Sequence, residues 1–262
     1  VSPLVTCCMI TKNRPALAMR AVAGFMSQTY GNLELLIVDD GEIDYSPWLA
    51  NWINDPRIRY VRLIPDSSQT LGDLRNAAIE LADGEYCIQW DDDEWYHPQR
   101  VEIQLRAIRE SDHGASALKW TLMHIDRAPY SKFVFRTDSG LATPGTIMFR
   151  KGETRYPSWR KNEDGEFMRD IRNEMGLSVL GREWSHLFVR CFHGTNTWDV
   201  RHFERRLHRR VSDWPSYLVS KYIRQNLTSH RAFRLTPAEE ETRDALFGRS
   251  DSEIEPRGDR AA

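Results

Sequence analysis

The chain has 262 residues, 40% of them hydrophobic and 28% charged, with a formal net charge of −2. That is the composition of a soluble globular protein, long enough to bury a proper core as one large domain or two small ones. No apolar run is long enough to span a bilayer, so no transmembrane segment is expected.

In chain order, "LVTCCMI" is a short apolar run suited to a strand buried on both faces. Pro15 then opens a helix through "PALAMRAVAGFM", with Leu17, Ala21 and Phe25 on one face. "LELLIVDD" reads as a second buried strand ending in two acids, and "RIRYVRLI" as a third strand. Thr70 and Asp73 resemble a capping box for "LGDLRNAAIELAD", in which Leu71, Leu74, Ala78 and Leu81 share a face. "YCIQW" is a fourth strand. Pro98 opens the next helix, with Val101, Leu105 and Ile108 inward.

The second half is more mixed. "ASALKWTLMHI", "SKFVFRT" and "GTIMFRK" read as strands in antiparallel partnership. "NEDGEFMRDIRNEMG" reads as a helix with Asn162 as cap and Phe167, Met168 and Ile171 buried. "SHLFVRCF" is a strand ending at "HGTNTWD", and two basic helical stretches follow, around 199–211 and 214–230. The sequence thus predicts an α/β fold, a mostly parallel sheet with helices on both faces and a helical C-terminal extension. The simplest division is 1–198, a basic extension 199–247, and a polar, disordered tail 248–262.

One stretch demands a chemical explanation. "QWDDDEWYHP" stacks Asp91, Asp92, Asp93 and Glu94 at the end of a strand, where like charges repel unless a cation or solvent offsets them. In parallel sheets ligands bind beyond the carboxyl ends of the strands. Asp39 and Asp40 end another strand, so both acid groups should face one crevice, which argues against a passive turn. Hard oxygen ligands favour Mg²⁺ or Mn²⁺, and one or two carboxylates suffice when phosphates and waters complete the shell.

Two further features set the context. The cysteines Cys7, Cys8, Cys87 and Cys191 show no zinc spacing, and three lie inside apolar runs. Packed free thiols in a reducing cytosol are expected, with no signal peptide evident at the N-terminus. From Arg201 to Arg234 the only acids are Glu204 and Asp213. That stretch is either a solvated helical face or a patch for an anionic surface, whether phospholipid, polyanionic glycan or nucleic acid.

The chain resembles the family 2 glycosyltransferases of the GT-A fold, through "MITKNRP", "FMSQTYGNLELLIVDDG", "LRNAAIELADGEYCIQWDDDEWYHPQR", "GTIMFRK" and "NEDGEF" in that order. The resemblance runs from roughly Val5 to Phe203. It implies a nucleotide-sugar donor, a UDP-sugar first, with Thr11, Lys12, Asn13 and Arg14 against the nucleotide and Asp40 on the base. It implies an Asp-x-Asp motif at Asp91 and Asp93, with Asp92 between them. Asp91 lies near the ribose and Asp93 on a divalent metal, Mn²⁺ or Mg²⁺. Glu163 and Asp164 supply the catalytic base, and the outcome is inversion at the sugar carbon. The family often has a fourth aspartate where this chain has Glu94.

Other residues stay open between two roles. His193 before Gly194 is a metal or diphosphate contact, or structural. Arg75 reaches a donor phosphate or lies on an exposed helical face. Trp95, Tyr96 and Trp159 stack on a sugar or belong to the core. The bottom-up chemistry agrees with a transferase, because a departing diphosphate needs positive charge beside it and an attacking hydroxyl needs a base. A sugar-nucleotide nucleotidyltransferase would carry a glycine-rich loop after the first strand, and "MITKNRP" has no glycine. The alternatives are a nucleic-acid-binding protein using 201–234, or a transferase with a polyanionic acceptor such as modified DNA or a membrane-bound glycan. The acceptor is otherwise a glycan or lipid-linked glycan, in the cytoplasm or peripheral to a membrane.

Overall fold

The computed structural model describes residues 2–52, 54–194, 196, 199–208 and 211–248. The elements in order are β1 (Val5–Thr11), α1 (Pro15–Met26), β2 (Leu33–Asp39), β3 (Ile58–Arg62), α2 (Leu71–Leu81), β4 (Tyr86–Gln89) and β5 (Trp95–Tyr96). There follow α3 (Arg100–Arg109), β6 (Ala115–Leu118), β7 (Trp120–Ile125), β8 (Val134–Asp138), β9 (Met148–Arg150) and α4 (Glu163–Met175). The chain continues through β10 (Leu177–Leu180), β11 (Phe188–Phe192), α5 (Val200–Glu204), α6 (Trp214–Leu218) and α7 (Pro237–Gly248).

The strands form two sheets. The seven-stranded sheet has the order β10-β6-β9-β4-β1-β2-β3, and only β9 runs against its neighbours. Its strands are apolar on both faces because both are covered. Val5, Cys7 and Met9 join the residues of α1 and α3 in one core cluster. Leu36, Val38, Cys8 and Ile10 pack with Ala78 of α2 on the other side, where Phe167 and Ile171 of α4 also lie against the sheet. The expected capping box is present, Thr70 and Asp73 each satisfying the other's backbone.

The second sheet, β5-β11-β7-β8, is mixed. The chain after it wraps both faces. Phe203 and Leu207 pack with Met123, Ile125, Phe135 and Phe192, while Leu246 of α7 packs with Leu122, Val134 and Val189. A buried ion pair between Arg136 of β8 and Glu239 of α7 fastens that wrap.

Several local expectations need correction. "ASALKWTLMHI" is two strands in different sheets. At the switch, Lys119 donates its N–H to Leu180 of the first sheet and accepts from Ser139 beside the second. The third helix starts at Arg100, two residues after Pro98. Asn162 adopts a left-handed φ of 65° and makes no side-chain cap, because its backbone must turn sharply into α4. Leu81 is 39% exposed at the end of α2, where Ile79 takes the inward place. Within the described residues the 199–211 and 214–230 stretches are helical but broken into short segments, and α7, with Glu239 and Glu240 in its first turn, continues the helical extension to Gly248. Among the described residues no helix is long and apolar enough to cross a membrane. The expected tail beyond residue 248 lies outside the described residues, as do Arg209 and Arg210.

Candidate active site

The carboxyl ends of β1, β2 and β4 meet at one edge of the first sheet, the usual place for a ligand in such folds. Here the four stacked acids diverge. Asp91 accepts from Gln89 Nε2 at 2.9 Å and pairs with Arg75 at 3.3 Å. Asp92 turns inward and accepts from Thr11 Oγ1 at 2.7 Å and Arg14 at 2.6 Å. Asp93 Oδ2 meets Arg14 at 3.2 Å, His193 Nε2 at 3.1 Å and Asn196 Nδ2 at 3.4 Å. Glu94 reaches across to β11, accepting the Cys191 N–H at 2.6 Å with Arg190 at 3.8 Å.

The repulsion is offset by the protein's own cations, Arg14, Arg75 and Arg190, each set against a different acid. Burial, with the Asp93 charge beside it, pushes the Asp92 carboxyl up from its ordinary range. Burial works the same way on Asp93, but the His193 hydrogen bond and the Arg14 charge overcome it and hold Asp93 below the ordinary carboxylate range. Glu94 is lifted well above its ordinary value by burial and by Asp93.

The loop after β1 is shaped from within. Thr11 is buried and bonded to Asp92 and to the Tyr45 hydroxyl at 3.0 Å. Asn13, at a φ of 54°, accepts the N–H groups of Glu42 and Ile43. Gly41 is needed there, since a Cβ would fall 2.7 Å from Asn13 Oδ1. Lys12 is exposed and pairs with Asp40 at 2.7 Å. Asp40 is 4% exposed, and its Oδ1 is buried with no hydrogen-bond partner among the described residues.

Across the cleft, Glu163 is buried and lies 3.4 Å from Arg75 Nε. Asp164 is half-buried in the first turn of α4 and accepts its neighbour's N–H, from Gly165 at 2.7 Å. Asp91, Asp92, Asp93, Glu163 and Asp164 all line one cleft of about 200 Å³. Arg75 is not on an exposed face; it sits at 11% side-chain exposure, tying Asp91 to α4. Trp95 and Tyr96 are buried, Tyr96 stacking on Trp90 at 3.8 Å, so they are core; Trp159 is 49% exposed. Cys7, Cys87 and Cys191 are buried free thiols, and Cys8 is partly buried.

Arg206, from the basic stretch 201–234, is in the same lining, and three further cations there were not singled out in the sequence: Arg160, Lys161 and Arg190. Arg190 had a signal, as the one charge inside "LFVRCF". Arg160 and Lys161 had none, because only the turn before α4 brings them to the cleft.

Among the described residues no three His, Cys, Asp or Glu side chains gather closely enough to cage a metal alone. A magnesium or manganese ion needs only one or two carboxylates when phosphates share its shell. The donors at the mouth, an ionised Asp93 oxygen beside an imidazole nitrogen, fit such an ion.

A family model described as "Glycosyl transferase family 2" matches residues 6–171. WcaA of Escherichia coli (strain K12), whose name places it with colanic acid biosynthesis glycosyl transferases, is 38% identical over 106 residues, 40% of this chain and 37% of that protein. The chain spans only 37%, 30% and 18% of the first three curated relatives. S. aureus TarS 1-349, solved in complex with UDP, superposes with a TM-score of 0.57 at 16% identity, over 91% of this chain and 77% of that one. The mannosyltransferase PcManGT from Pyrobaculum calidifontis, solved with GDP-Man and Mn²⁺, gives 0.56 at 16% identity, over 94% and 69%. At these identities the structural likeness is one of fold.

Proposed function

The chain belongs to glycosyl transferase family 2 and has the GT-A fold, and we propose that it moves a sugar from a nucleotide-sugar donor to an acceptor hydroxyl with inversion. One observation carries this reading. The acid held ionised, Asp93, faces Arg14 and His193 at a cleft whose lining also includes Asp164 from the start of α4.

The roles follow from the chemistry. Asp40 Oδ1 is a buried acceptor in want of a donor, and the N3–H of uracil would satisfy it. Guanine offers N–H groups as well; TarS was solved with UDP and UDP-GlcNAc, and PcManGT with GDP-Man. A UDP-sugar is the first donor to test. Arg14 and Arg75 lie where they can face the diphosphate. A manganese or magnesium ion held by Asp93 and His193, with Asp91 adjoining, would act as a Lewis acid toward the leaving diphosphate. Asp164 takes the acceptor's proton as the acceptor oxygen bonds the anomeric carbon. The bond from that carbon to the diphosphate oxygen breaks, and its electron pair leaves with the nucleotide. Attack from the face opposite the leaving group inverts the centre.

Titration with UDP- and GDP-sugars should raise the melting temperature only when manganese or magnesium is present, since a ligand that binds the folded state stabilises it by mass action. Asp164→Asn should keep that stabilisation and lose about 10²–10⁴-fold in kcat. A donor-induced shift of equal size in EDTA would refute the metal-dependent donor site.

A further inference from the structure

Beside the cleft lies a second cavity, of about 350 Å³, between the second sheet and the chain that wraps it. Arg206 lines both cavities, so the two adjoin at that side chain. Five arginines line it, against Asp138 and Asp213. Two of the five are matched by acids. Arg136 pairs with buried Glu239, and Arg231 pairs with Asp213. Among the described residues Arg182 and Arg234 have no carboxylate partner, and both are exposed at the cavity.

We infer that this cavity is an acceptor subsite that seats a phosphate or carboxylate group of an anionic glycan, while a hydroxyl of the same glycan reaches the cleft; this rests on the transferase reading above. Guanidinium forks match both anions, and a carbohydrate chain can bridge the two cavities past Arg206. Nucleic acid fits less well. Single strands bind on successive exposed aromatic platforms. Trp120 is the one Trp, Tyr or Phe in the described lining, and Arg182 lies over its ring at 6.0 Å.

The test uses the full chain in low salt and four calorimetric probes: an oligogalacturonate, a glycerol-phosphate oligomer, a neutral maltooligosaccharide and a single-stranded oligonucleotide. At least one of the two anionic glycans should bind, more weakly as salt rises, and the one that binds identifies the anion. Arg182→Ala/Arg234→Ala should weaken that binding about tenfold through lost charge-assisted contacts, with the UDP-sugar melting shift unchanged. If the double variant does not fold, Arg234→Gln alone makes the comparison. The inference is overturned if the neutral glycan or the oligonucleotide binds at least as tightly, if the variant binds as wild type, or if no probe binds while the donor shift persists. Absence of any donor shift in the wild type overturns the transferase reading itself, and the subsite with it.

Discussion

The two sheets hold their functional and structural groups by different means. At the first, each side chain at the strand ends is fixed by charged hydrogen bonds: Arg14 to Asp92 and Asp93, Arg75 to Asp91, Thr11 to Asp92. The second is held by burial, with α7 and the turns around Phe203 covering strands that are not consecutive in the chain, and with one ion pair, Arg136 to Glu239, inside. Damage to the first region should therefore appear in chemistry, and damage to the second in stability.

The sharpest separation comes from Asp93→Ala. Loss of several kcal/mol of charge stabilisation at the diphosphate should lower transfer by about 10³-fold or more, with the circular dichroism spectrum unchanged. A variant that transfers at wild-type rate would remove the chemical side of the comparison. On the other side, Glu239→Ala leaves Arg136 buried without its counter-charge. It should cost about 3–5 kcal/mol in denaturant unfolding, while the melting shift produced by donor keeps its size. If that shift vanished too, the two regions would not be separable.

A smaller effect should follow from pH. Burial, reinforced by His186 at a ring distance of 5.0 Å, pushes the His97 imidazole down to about 4. The folded state thus favours neutral His97, so its contribution is complete above the unfolded value near 6.5 and is lost as pH falls from there toward 4. Melting temperatures between pH 7.5 and 4.5 should decline, and His97→Gln should flatten the decline. The smallest expected change is Thr70→Ala, which removes one side of the α2 capping box and should cost about 1 kcal/mol, with no effect on kcat.

Much of the first sheet was legible in the sequence because β1, β3 and β4 are short apolar or alternating runs with a helix after each, and two of those helices carry their own start signals. The capping box at Thr70 and the Pro15 opening are local features, and they formed as written. The acid stack was legible as a site, but its arrangement was not. Which acid meets Arg14, Arg75 or Arg190 depends on residues 16 to about 100 positions away, and no local pattern encodes that distance. The second sheet was harder for the same reason. β5 is two residues long, and β7 continues an apolar run whose first part, β6, belongs to the other sheet. The wrap after residue 199 combines a basic composition with scattered apolar anchors, so its helical periodicity is weak and the described residues before α7 form only short helical segments.

The division at Lys119 has a mechanical consequence. A single residue is clamped at its backbone nitrogen by one sheet and at its backbone oxygen by the margin of the other, so the residue acts as a rivet rather than a hinge. Any opening between the donor edge and the arginine-lined cavity must strain that joint. Amide exchange at Lys119 should accordingly report loosening on the side of the first sheet and exchange at Ser139 loosening beside the second, and the two should rise together if the joint opens as one.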